Sequence, residues 1–110
     1  MGDHGKVITI TSSSQFSELL AGAGSKLVIA DFSATWCGPC RMAAPKFAAL
    51  SVKYEDVTFA KIDVDQVGDL ATRYDISSIP AFKFFKDGQE IAEVIGANIP
   101  KVTELIEQKK

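Results

Sequence analysis

A chain of 110 residues in which 46% are hydrophobic has the size of one domain with one buried core, residues 1–110. Its net charge of −2 gives no basic footprint for nucleic acid or an anionic membrane. The 24% charged content argues against disorder or a fibrous repeat, and no segment approaches the roughly 20 apolar residues of a membrane span.

The opening run Met1-Gly2-Asp3-His4-Gly5-Lys6 has no apolar segment of a signal peptide. It also carries Lys6 where a myristoylation signal needs Ser or Thr. A cytoplasmic, reducing compartment is therefore expected, and a monomer. In that setting two cysteines are catalytic or metal-binding rather than a permanent staple.

Val7 to Ile10 is a short β-rich run. Ser12 and Gln15 then have capping-box spacing, and Phe16, Leu19, Leu20 and Ala23 form one helical stripe, closed by Gly22 and Gly24. Leu27 to Ala34 is apolar on both parities, as in a strand buried on two faces. Pro39 to Tyr54 reads as a helix with an expected kink between Arg41 and Pro45. Val57 to Val64 is a third strand. Val67, Leu70, Ala71 and Tyr74 follow with helical spacing. Asp87-Gly88 joins the runs 81–85 and 90–95 as a hairpin, and Asn98 caps a last helix bearing Ile99, Val102, Leu105 and Ile106. The order β-α-β-α-β-α-β-β-α implies an α/β fold, with parallel strands first and an antiparallel hairpin added to the same sheet.

Cys37 and Cys40 are the only cysteines, three apart, at the start of the second helix. Positions i and i+3 of a helix place Cβ atoms about 5–6 Å apart, near the separation that a disulfide needs. Backbone N–H groups and the helix dipole favour a thiolate at Cys37, so Cys37 suits the attacking role. Cys40, covered by its own helix, suits the resolving role. Gly38 allows close approach of a substrate, and Pro39 stiffens the first turn. Half a zinc site is the alternative, but zinc takes about four ligands and the remaining soft candidate is His4, near a terminus expected to fray. No metal is expected.

Asp31 shares strand parity with Leu27 and Ile29. It is either a solvated strand end or a buried carboxyl of raised pKa that takes the proton of Cys40. Lys61, on the parity of Phe59 and Asp63, snorkels if taken alone; on a neighbouring strand it would partner and tune Asp31. Trp36, beside Cys37, is core or a contact surface. Position alone does not make Pro80 cis.

Taken together, Asp31-Phe32, Trp36-Cys37-Gly38-Pro39-Cys40, Pro45, Lys61 with Asp63, Ile79-Pro80, Asp87-Gly88 and Gly96-Ala97 resemble the thioredoxin family. Ser33, where bacterial members usually carry a second tryptophan, is closer to the eukaryotic cytosolic type. The resemblance implies the thioredoxin fold, a five-stranded mixed sheet flanked by four helices. It implies reduction of disulfides in target proteins, with electrons from NADPH through a flavin thioredoxin reductase and no bound cofactor beyond the redox-active disulfide. It further implies a cis Ile79–Pro80 bond and a substrate groove formed by Trp36, Ile79, Pro80, Gly96 and Ala97. Additional family thiols are absent, Ser78 standing where one would be. Oxidase or isomerase relatives usually carry histidine at the position of Pro39, and redox-inert relatives often lose one cysteine.

Overall fold

The computed structural model describes residues 4–110; the opening residues 1–3, read above for targeting signals, lie outside the described residues. The chain runs β1 (Ile8–Ile10), α1 (Ser13–Ala23), β2 (Val28–Ser33), α2 (Gly38–Lys53), β3 (Thr58–Asp63), α3 (Gly68–Arg73), β4 (Ala81–Lys86), β5 (Gln89–Ile95) and α4 (Ile99–Lys109). The strands form one sheet in the order β1-β3-β2-β4-β5. β3 pairs in parallel with β1 and β2, while β4 pairs antiparallel with β2 and β5. The mixed sheet expected from the element order is the one observed.

β2 is buried at all six positions, because helices cover both faces of the sheet. Ile29, on its odd face, joins Phe47 and Leu50 of α2 and Val102 and Ile106 of α4 in one core. Its even positions Val28, Ala30 and Phe32 meet Phe16 of α1 and Leu70 of α3 in the other. Side chains alternate along a strand, so Asp31 belongs to the face under α2. Phe47 fixes that helix with ring contacts to Phe59 and Phe82 at 5.2 and 5.4 Å.

The helix ends explain where the chain turns. Ser12 caps α1 by accepting from Gln15 N at 3.1 Å. Gln15 reaches back to the N–H of Thr11 at 2.7 Å, one residue earlier than a capping box would have it. Gly22 lies within α1 and Gly24 is its C-cap, with φ 61°, a conformation glycine adopts without a Cβ penalty. α2 continues through Pro45 without a break in its helical residues. Asp87 and Gly88 take positive φ values of 54° and 80°, as a tight hairpin turn requires.

Lys83 is an unexpected buried cation on β4, held by Glu90 at 2.8 Å and Glu93 at 2.7 Å. Burial works against the ammonium, but the two glutamates outweigh it and leave its pKa above the ordinary lysine value. Exchanging both carboxylates, Glu90→Gln with Glu93→Gln, should cost about 3 kcal/mol in urea unfolding, whereas Lys83→Met should be near neutral or stabilising. Equal losses in the two variants would show that the pairs do not compensate the buried charge.

Candidate redox site

β2 leaves the sheet at Ser33, and the chain turns within four residues into α2. Cys37 is the N-cap, in extended conformation (φ −88°, ψ 113°), with Gly38 and Pro39 as the first helical residues. Proline fits there because the first turn has no partner for its missing N–H. Cys37 Sγ accepts from the backbone N–H of Cys40 at 3.2 Å, an interaction that strengthens when the sulfur is a thiolate. The two cysteines form a disulfide with Cα atoms 5.2 Å apart.

Cys37 and Cys40 are almost equally buried, at 5% and 3% exposure. Cys40, one turn into the helix, is the less exposed of the two, but the difference is small in this oxidised form. Both pack with Ala34, Val64 and Ile79. Cys37 Sγ lies 3.9 Å from the Ile79 carbonyl oxygen, on the loop whose Ile79–Pro80 bond is cis. The Pro80 carbonyl accepts from Gly96 N at 2.8 Å, which ties the end of β5 to this loop. Ala97 is exposed next to it. Trp36 is 67% exposed and donates from Nε1 to Asp65 at 2.8 Å, so the indole is a held surface and not core.

Asp31 is 1% exposed, so the solvated-strand-end alternative falls away. Burial raises its pKa from 3.8 to about 7, and the charge of Lys61 works in the opposite direction. The register places Asp31 beside Lys61 on β3 and Phe82 on β4. No direct Asp31–Lys61 ion pair forms among the described residues, and Asp31 Oδ1 is buried without a protein hydrogen-bond partner. Lys61 therefore acts on the carboxyl through space rather than by contact.

Two cavities share Ala44 and Lys61 in their walls. One, about 270 Å³, touches Cys40, Arg41, Ser33 and Asp63; the other, about 20 Å³, touches Asp31, Phe47 and Ala48. The smaller one has room for about one water. Among the described residues no group of three or more His, Cys, Asp or Glu is placed to hold a metal ion, and no helix is long and apolar enough to cross a membrane.

Met42, 73% exposed, was not singled out by the sequence. Its signal was available: it lies off the buried stripe Ala43, Phe47 and Leu50 of α2, one and a half turns beyond Cys37. The Trp36–Asp65 contact crosses from the redox turn to the end of β3 and leaves no local sequence signal.

The thioredoxin family model matches residues 6–108. The chain belongs to the thioredoxin family. It is 48% identical to human thioredoxin over 99 residues, covering 90% of this chain and 94% of that one. Horse thioredoxin is 50% identical over 93 residues, covering 84% and 89%. Among solved structures, thioredoxin of Nicotiana alata superposes with a TM-score of 0.95 at 36% identity, covering 100% of this chain and 97% of that one. With the cysteine pair at disulfide distance, the protein is a dithiol–disulfide oxidoreductase of the thioredoxin fold.

The buried carboxyl has a consequence for stability. A pKa raised on folding means the native state holds its proton more tightly than the unfolded state. The stability contributed by this group is fully present below pH 3.8 and is lost as pH rises towards 7. Asp31→Asn should therefore stabilise the protein by up to roughly 4 kcal/mol above pH 8, with the gain vanishing near pH 4. Chemical unfolding at several pH values checks this; a gain independent of pH would contradict it.

Proposed function

We propose that the protein reduces disulfides of target proteins, acting as one domain over residues 1–110 and as a monomer in the cytoplasm, where it carries electrons from NADPH delivered by a flavin thioredoxin reductase. The observation that carries this reading is the Cys37–Cys40 pair at the N-terminus of α2, opposite the Ile79 carbonyl.

Reduced Cys37 is the nucleophile. Its thiolate attacks one sulfur of the substrate disulfide, forming a mixed disulfide and expelling the other sulfur as a thiolate. Cys40 then attacks Cys37 Sγ, closing the intramolecular disulfide and releasing the second substrate thiol. Two electrons pass to the substrate, and the two protons of the dithiol end on its two thiols. Cys40 must lose its proton to attack. Asp31, with a pKa near neutrality, is the acceptor, by way of water in the two cavities that flank Ala44 and Lys61. Lys61 tunes that carboxyl by favouring its charged form. Gly38 leaves open space above the turn, and Pro39 adds no charge that would stabilise the reduced dithiol. A stabilised reduced form makes an oxidant; its absence suits a reductant.

The substrate peptide lies against Trp36, Ile79, Pro80, Gly96 and Ala97, pairing with the Ile79 backbone as an added strand. Exposed Met42 lines a small pocket with Ala97 and so extends this apolar rim.

Cys40→Ser should accumulate covalent complexes with disulfide substrates, visible on non-reducing gels and lost on adding thiol. Cys37→Ser should accumulate few or none. If Cys37→Ser is the trapping variant, the roles are reversed. Asp31→Asn should slow insulin disulfide reduction by up to about 100-fold at pH 7, and an undiminished rate would remove the carboxyl from the mechanism.

A further inference from the structure

The segment before β1 is built onto the molecule. The Val7 N–H donates to the His4 carbonyl at 3.0 Å, closing a turn in which Gly5 has φ +57°. Lys6 N donates to Ser51 Oγ at 2.8 Å, and the buried Ser51 hydroxyl donates in turn to the Ala48 carbonyl of α2. Gly5 lies so close that a Cβ there would collide with the Ala48 oxygen and sit 2.6 Å from Ser51 Oγ. The Lys6–Glu55 pair at 3.2 Å is exposed at both ends and adds little. The turn is thus pinned to α2 by backbone contact, and the fraying expected for His4 is not what is observed.

This turn lies over the small cavity that holds Asp31. Val7 and His4 line the cavity with Asp31, Ala44, Phe47, Ala48 and Lys61. Val7 packs into the core beneath. His4 is exposed on its outer side while it borders the cavity on its inner side, so it stands at the mouth. Among the described residues the wall around Asp31 holds two side chains that can carry charge, Lys61 and His4; α2 contributes Ala44, Phe47 and Ala48, and β4 contributes Phe82.

We propose that the turn His4–Val7 is a strap over the Asp31–Lys61 cavity, and that His4 closes its solvent mouth and so governs the access of bulk water to the carboxyl. His4 is then a positioning residue for the proton, acting through the dryness of the Asp31 environment. The inference rests on Asp31 as proton acceptor for its importance to turnover, but not for its test. A closed mouth keeps the proton within the internal route to Cys40; an open one hydrates the carboxylate and makes Asp31 a weaker acceptor.

The test is a carbon-13 NMR titration of the Asp31 carboxyl in the full oxidised chain. His4→Ala empties the mouth and Gly5→Ala lifts the strap off α2. In both, the Asp31 midpoint should fall by about one pH unit or more, towards the ordinary carboxylate range near 4. His4→Gln, which refills the mouth without a titrating ring, should keep the parent midpoint. An unmoved Asp31 midpoint in His4→Ala overturns the proposal. Because the readout is a titration, that failure is distinct from an Asp31→Asn variant that still reduces disulfides at full rate, which would remove the acceptor role instead.

Discussion

A strand buried on both faces has no place for a charge, and β2 carries one. The apolar side chains of that strand pack into the two cores, whereas Asp31 is buried beside Phe47 and Phe82. The cost of burying a carboxylate moves its titration from the ordinary acidic range to about 7. The position is imposed by the sheet: β2 must be central to bring the redox turn to the end of the molecule, and a central strand offers no solvent to its fourth residue. Stability is given up at one site, and the carboxyl there titrates near neutrality.

The remaining parts of the site follow from where β2 ends. Its last residue leads directly into the turn that makes Cys37 the N-cap of α2. The neighbouring antiparallel strand β4 begins at the other side of the same edge, so the loop before it carries Ile79 to the sulfur. The parallel neighbour β3 brings Lys61 level with Asp31. Two parallel strands and one antiparallel strand, from distant parts of the sequence, thus bring the cysteine pair, the Ile79 carbonyl and the Lys61 charge to one region of the sheet. The edge strand β5 then closes the arrangement through the Gly96–Pro80 hydrogen bond. Parallel pairing on one side of β2 and antiparallel pairing on the other is what allows loops from both halves of the chain to meet there.

Much of this was legible in the residues because the signals are local or periodic. The two-parity apolar run of β2, the stripe Phe16–Leu19–Leu20–Ala23 and the Asp87-Gly88 turn each state their own geometry. The spacing of Cys37 and Cys40 states that they can bond. What escaped depends on pairings between distant segments. Lys83 looks like a surface lysine until the hairpin register sets Glu93 opposite it. Whether Asp31 is dry depends on α2 and β3 covering it, which neither strand pattern specifies. The pinning of His4, Gly5 and Lys6 depends on Ser51, a residue that reads as an ordinary polar position near the end of a helix. Gln15 reaching Thr11 rather than Ser12 is a one-residue difference set by the direction in which the chain leaves β1.

The central claim is that this geometry holds Cys37 and Cys40 as a reducing dithiol. The direct measurement is the equilibrium potential of the pair at pH 7, read from Trp36 fluorescence as the protein is equilibrated with mixtures of reduced and oxidised glutathione. The account predicts a potential more negative than about −260 mV, below the glutathione couple, so that the pair gives its electrons to glutathione disulfide. A value of about −180 mV or above, in the range of proteins that form disulfides rather than break them, would contradict it.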